Sequence, residues 1–134
     1  MTSVSFLLLR IAVGMSMFGH GLVRLPKLEI FSNWMLSQFE KSMLPVSLVK
    51  PFSYFLPIAE FTIGLFLIFG LFTKHTLIAG SIVMTALIFG TSMIENWDAI
   101  PSQLFHSVIF CWLLDCIKMN NYSLDFKIFK KNEL

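Results

Sequence analysis

Residues 7–25, LLLRIAVGMSMFGHGLVRL, are apolar over a length that crosses a bilayer, yet the run contains Arg10 and carries His20 near its end. An ionisable group in hydrocarbon costs at least about 2.5 kcal/mol even on lenient scales, so Arg10 requires a partner or a path to the interface. At about 100° per residue, Arg10, Gly14, Met17, Gly21 and Arg24 share one narrow stripe, with His20 on its shoulder. Small residues on that stripe let a second helix approach closely, so this face is expected to look into a bundle. The other faces carry Leu, Ile, Val, Phe and Met, which suit lipid.

The remaining chain agrees with that expectation. Of 134 residues, 56% are hydrophobic and only 13% charged, a balance outside the range of soluble domains of this length. One integral membrane domain over residues 1–134 is expected. The 15 Phe and eight Met suit lipid contact and adaptable packing. A net charge of +2, with basic residues in connections and tail, calls for anionic headgroups as partners and not for nucleic acid. Cys111 and Cys116 lie five apart, on different faces of one helix, and read as small buried apolar residues. A cleavable signal peptide fits poorly, because no Lys or Arg precedes the first span and Arg10 interrupts it. The first helix is expected to be retained.

Four apolar segments, near 4–24, 53–72, 76–94 and 101–117, each approach the ~20 residues that ~30 Å of hydrocarbon requires. The fold class expected is therefore all-α, an integral membrane four-helix bundle. Between the first two spans, over about 28–43, Phe31, Trp34, Met35, Phe39 and, less closely, Gln38 follow a three-four spacing. A short helix lying in the interface accounts for this pattern, with Trp34 at headgroup depth; an irregular loop with scattered aromatics is the alternative. Pro45 and Pro51 then lead into the second span. The short turn around Thr73, Lys74 and His75 makes spans two and three antiparallel neighbours. The basic tail, 118–134, is too short for a domain, and its Phe126, Ile128 and Phe129 are placed to dip into the interface. Lys74, Lys118, Lys127, Lys130 and Lys131 fall on one side of a four-span topology, against Arg24, Lys27, Lys41 and Lys50 on the other. That bias favours both termini in the cytoplasm.

With span midpoints at mid-bilayer, Glu60, His20 and His106 all lie roughly 4–9 Å toward the non-cytoplasmic side. Arg10 lies across the midplane, where Asp115 is its expected partner and Glu60 requires a shifted register. Glu60 follows Pro57 by three residues, so it stands in a first helical turn if the helix restarts there; otherwise it is a buried neutral carboxyl. Either a bond to a neighbouring helix or a proton-relay role accounts for it. His20 and His106 admit three readings: hydrogen-bonded structural histidines, a His and carboxyl set around a quinone headgroup, and, more weakly, axial ligands of a haem. No metal site is expected. Gly-rich phosphate loops, HExxH, paired CxxC and a nucleophile elbow are all missing from the sequence.

Ordered motifs add a family. Arg10, Gly14, Phe18, His20, Gly21, Arg24 and Leu25 resemble the F-x-H-G-x-x-K-L element of the DoxX family, with Arg24 in place of Lys. Pro57, Glu60, Gly64, Leu67, Gly70 and Thr73 are similar to its P-x-x-E-x-x-x-G-x-x-L-x-x-G-x-x-T pattern, and Tyr122, Ser123, Leu124 and Asp125 to its short closing element. The resemblance implies a compact bundle in the bacterial inner membrane and, as in the founding members, association with a thiosulfate:quinone oxidoreductase. The function expected is a membrane-embedded, quinone-interacting subunit of a redox system, with a soluble or membrane oxidoreductase as partner and a homo-oligomer left open. Glu60 and His20 are the candidate proton-exchanging pair, with His106, Arg24 and Arg10 as candidate ligand-binding groups. Arg10 also serves to fix the bundle. The alternative is a non-catalytic scaffold or assembly protein that binds a partner or lipid.

Overall fold

The computed structural model describes residues 1–129, and every described element is helical. The tail lysines Lys130 and Lys131 lie outside the described residues. Helix α1 (Ser3–Arg24) is capped by Thr2, whose hydroxyl accepts from the Ser5 amide at 3.2 Å. A single 3-10 turn, Leu25–Lys27, redirects the chain at Pro26 into α2 (Leu28–Phe39). Helix α3 (Val46–Phe69) begins after Pro45 and ends at Gly70, whose φ of 66° is the left-handed C-cap that glycine adopts without a Cβ penalty. Helix α4 (Thr73–Met93) follows at once, and α5 (Ile100–Asp115) comes after the 3-10 turn Trp97–Ala99. A further 3-10 turn, Ile117–Met119, leads to the short α6 (Leu124–Phe129).

Three helical stretches among the described residues are long and apolar enough to cross a membrane: Ser3–Phe39, Val46–Phe69 and Thr73–Met93. Helix α5, with 16 residues, is shorter. The second apolar segment starts seven residues before the expected 53, because neither Pro51 nor Pro57 interrupts α3. Glu60 is therefore mid-helix and not in a first turn. Each proline removes one backbone hydrogen bond, and packing against neighbours maintains the helix across both.

Helices α1 and α3 make the most intimate contact, α5 packs mainly on α4, and α2 lies along α3. Gly64 decides the first of these. A Cβ built there would stand 2.2 Å from the Phe18 amide nitrogen and 2.7 Å from the Gly14 carbonyl oxygen. Gly21 is in the same position, 2.3 Å from the Phe61 nitrogen. The expected stripe of α1 is thus its buried face: Arg10, Gly14, Met17 and Gly21 are all buried there, with Phe6 and Val13. On the outside, Val4, Leu8, Met15 and Leu22 are exposed apolar side chains, as a lipid-facing surface requires. Between α4 and α5, Gly80 leaves room for the fully buried Phe110 ring, which a Cβ would meet at 2.9 Å. Cys111 and Cys116 are free thiols; Cys111 is exposed on α5, contrary to the buried reading of both.

Candidate functional site

Close approach of α1 and α3 sets two polar clusters about 21 Å apart, the rise of the 14 residues from Arg10 to Arg24. One of them opens onto a cavity. Because the glycine contacts bring the α1 backbone against α3 near Phe61, Arg24 reaches Glu60, and Nη1 donates to Oε2 at 2.6 Å. The Glu60 side chain is 4% exposed and that of Arg24 27%, so this is a pair buried on one side only. The guanidinium also lies over the Phe31 ring, 4.7 Å from its centroid, which ties α2 to the pair.

The cavity has a volume of about 450 Å³, within the range of small-molecule sites. Helices α1 to α5 all contribute to its wall. His20, Arg24, Glu60, Gln103 and His106 are among its polar lining residues, with Gln38, Thr91, Asn96 and Ser102; Met17, Leu56 and Met84 are among the apolar ones. Phe31, Trp34, Met35, Gln38 and Phe39, the periodic set of the first connection, all line it as well. The spacing does form a helix, but its apolar face turns inward over the cavity. Ser32 fixes this orientation through a buried hydroxyl contact with Ser53 of α3 at 2.6 Å. Trp34 stacks on Phe31 and stays 55% exposed.

His106 is held at both nitrogens. Nδ1 donates to the Ser102 carbonyl at 2.8 Å, and since a carbonyl only accepts, the neutral ring carries its proton there. Nε2 then accepts from the Ser16 hydroxyl at 2.9 Å. Axial ligation of a haem would have to break the Ser16 contact. His20 is exposed at the cavity and makes no hydrogen bond among the described residues, so both its ring nitrogens are available. Gln103, one turn before His106 on α5, donates from Nε2 to Thr91 Oγ1 at 2.9 Å.

Arg10 belongs to the other cluster. It is 2% exposed, and its guanidinium donates to Asn120 Oδ1 and, at 2.9 Å, to the Tyr122 carbonyl. Neither Asp115 nor Glu60 is its partner; Asp115 is exposed and makes no ion pair among the described residues. The segment after α5 folds back over the end of the bundle and supplies the acceptors. Asn120 also donates from Nδ2 to Thr73 Oγ1 at 2.9 Å. Asp125 accepts from the Phe72 and Thr73 amides, both at 2.7 Å, and so caps the first turn of α4. A Cβ at Gly70 would stand 2.5 Å from Arg10 Nη1, which explains glycine there beyond its φ. Arg10 does not line the cavity, so its expected ligand-binding role has no geometric support; anchoring the bundle is what its contacts do.

The structure thus brings His20, Arg24, Glu60 and His106 to one cavity and leaves Arg10 out. Sequence reasoning missed Gln103, Ser16 and Asn120. Gln103 shares the His106 face of α5 at a three-residue spacing, a signal that was there to read. Asn120 offered none, since a polar residue in a turn after a span is ordinary. Among the described residues no three His, Cys, Asp or Glu side chains are grouped to hold a metal ion.

No curated protein and no solved structure matches the chain. A family does: the DoxX model matches residues 5–93. That range holds the cavity-lining His20 together with Gly21, Arg24, Glu60, Gly64, Gly70 and Thr73, the residues that build the ion pair, the α1–α3 contact and the turn beneath Arg10. The closing element at residues 122–125 lies beyond it. With two thirds of its length matched and its motif residues accounted for by position and contact, this chain belongs to the DoxX family of membrane proteins.

Proposed function

We propose that the cavity binds a quinone headgroup and that the protein is a membrane subunit serving a partner oxidoreductase. One observation carries this reading: an imidazole with free nitrogens, a second imidazole and an arginine–carboxylate pair converge on a largely apolar and aromatic space open to the exterior. A quinone head needs donors for its two carbonyls and an apolar slot for its ring and tail. His20 and the free N–H groups of Arg24 supply the first; Trp34, Phe31 and Met84 supply the second. Reduction to the quinol takes two electrons and two protons. The partner delivers the electrons, and His20 and Glu60 are placed to pass protons between the cavity and water.

In this reading α1, α3, α4 and α5 cross the bacterial inner membrane as a four-helix bundle. The 3-10 turn Trp97–Ala99 adds about 6 Å to the roughly 24 Å of α5, enough for the hydrocarbon thickness. Helix α2 lies at the interface on the cavity side, and both termini are cytoplasmic, where Lys74, Lys118 and Lys127 meet anionic headgroups.

Purified protein in lipid nanodiscs, titrated with a short-tailed benzoquinone and a short-tailed naphthoquinone, is expected to bind at least one of them saturably. Glu60→Gln weakens that binding about tenfold by removing the charge that orients Arg24. Absence of saturable binding to either probe overturns the proposal and favours a scaffold role. In that case Glu60→Gln lowers thermal stability and leaves partner activity per folded molecule unchanged.

A further inference from the structure

The cavity wall reaches the outside of the protein along two seams of opposite character. Helices α1 and α5 run antiparallel and are joined by the 2.9 Å contact of Ser16 with His106. Four residues further along each helix, toward the same end, His20 and Ser102 both line the cavity and are both exposed. The second seam lies between the start of α3 and the end of α4. Leu48 and Phe89 line the cavity there while 56% and 55% exposed, and Ala86, one turn before Phe89, is an exposed wall residue too. Phe52 and Phe89 both stand roughly 26 Å from the turn that links these antiparallel helices, hence at one level. Among the described residues, the exposed wall residues of α3 and α4 are all apolar. Those of α1, α5 and the connection before α5, which supplies Asn96, are all polar; α2 gives one of each kind, Trp34 and Gln38.

The size of the cavity makes the second seam matter. An apolar cavity of about 150 Å³ takes one benzene ring, so about 450 Å³ takes roughly 18 non-hydrogen atoms. A substituted benzoquinone or methylnaphthoquinone head uses about 13 of them and one isoprene unit about five, which fills the space. Any longer tail has to leave. In the α1–α5 seam it would strip water from His20, Ser102 and Asn96 and return no hydrogen bond. Between α3 and α4 it meets Leu48, Phe52, Ala86 and Phe89, and then lipid. We infer that the ligand is a quinone with an isoprenoid tail longer than one unit, and that this tail passes between α3 and α4 into the bilayer. The inference rests on the quinone reading of the site. The α1–α5 seam is then left to water, so His20 exchanges protons on a path that the tail does not cross.

The test uses the full chain in lipid nanodiscs and probes that share a head but differ in tail: decylubiquinone against the tailless ubiquinone head, and a naphthoquinone with a two-unit tail against menadione. Each probe is compared between protein variants in the same lipid, so partition into the bilayer cancels. Ala86→Trp puts a bulky ring in the α3–α4 seam and is expected to weaken the tailed probe at least about fivefold more than its tailless partner. Ser102→Trp narrows the other seam and is expected to change the two by factors within about threefold of each other. A smaller difference in Ala86→Trp, or a larger loss for the tailed probe in Ser102→Trp, overturns the inference while leaving the quinone site standing. Where Ala86→Trp does not fold, or a tailless probe binds too weakly to measure, the unmodified protein decides. An analogue of the tailed probe that binds, with a diazirine near the end of its tail, is expected to label residues 48–52 and 86–89, and excess unlabelled probe to abolish that label. Competed label on α1 or α5 instead overturns the inference. Binding of none of the probes overturns both this inference and the reading beneath it.

Discussion

Arg10 and Arg24 stand on the same stripe of one helix and solve the problem of a charge among apolar side chains in different ways. Arg24 takes a carboxylate at 2.6 Å and an aromatic face, at the cavity. Arg10 takes two neutral oxygens, an amide and a backbone carbonyl, with the Asp125 carboxylate close enough to contribute through space. The second arrangement depends on a residue 110 positions away that has its own obligation to Thr73. Asn120→Leu removes both bonds and leaves the guanidinium with Tyr122 as its hydrogen-bond acceptor. Stability in detergent, followed by thermal or chemical unfolding, is expected to fall by about 2 kcal/mol, the cost of an unpaired buried charged donor. A loss indistinguishable from that of an exposed substitution such as Asn33→Leu would show that Arg10 draws its support from elsewhere.

At the scale of elements, the pairing of α1 with α3 rests on missing side-chain atoms as much as on present ones. Gly64, Gly21 and Gly14 let two backbones approach until van der Waals contact replaces a hydrophobic driving force that lipid does not supply. Gly64→Ala forces Phe18 and Gly14 away and is expected to cost about 2–3 kcal/mol, as overpacking of a close interface does. Gly19, two residues before Gly21 on another face of α1, has nothing within 4 Å of its Cβ position. Gly19→Ala is accordingly expected to be neutral, or to stabilise by up to about 1 kcal/mol through helix propensity. Parallel unfolding of both variants separates close packing from propensity, and equal effects would count against the close-packing account. Helix α2 shows how an amphipathic pattern underdetermines its use. A three-four spacing of Phe31, Trp34, Met35 and Phe39 says that one face is apolar, but lipid and a cavity satisfy that face equally well.

Across the whole molecule the two polar clusters divide the work. The cavity cluster is open, holds an imidazole with free nitrogens and faces an apolar space; the other is closed by the segment after α5 and capped onto α4 by Asp125. Disturbing the closed end is therefore expected to loosen the fold locally without altering ligand affinity. Asp125→Asn weakens the cap by about 1 kcal/mol. Hydrogen exchange at the Phe72 and Thr73 amides should rise severalfold, while any saturable binding of the quinone probes in nanodiscs, as the proposed function expects, stays the same. A change in that affinity would mean that the ends are coupled along α1.

Much of the architecture was legible because it is written in local periodicity. Spacings of three and four residues identify the buried stripe of α1 and the helix after Pro26, and run lengths locate the helices to within a few residues, except at the start of α3, where Pro51 suggests a later start that packing overrides. Depth arithmetic along rigid helices puts His20, Glu60 and His106 within a few ångströms of one another along the bundle axis, and all three line one cavity. What periodicity does not contain is which stripe meets which. Arg24 and Glu60 are 36 residues apart and Arg10 and Asn120 are 110 apart; their pairing depends on helix tilt, register and the path of the last segment, and only the packed chain sets these.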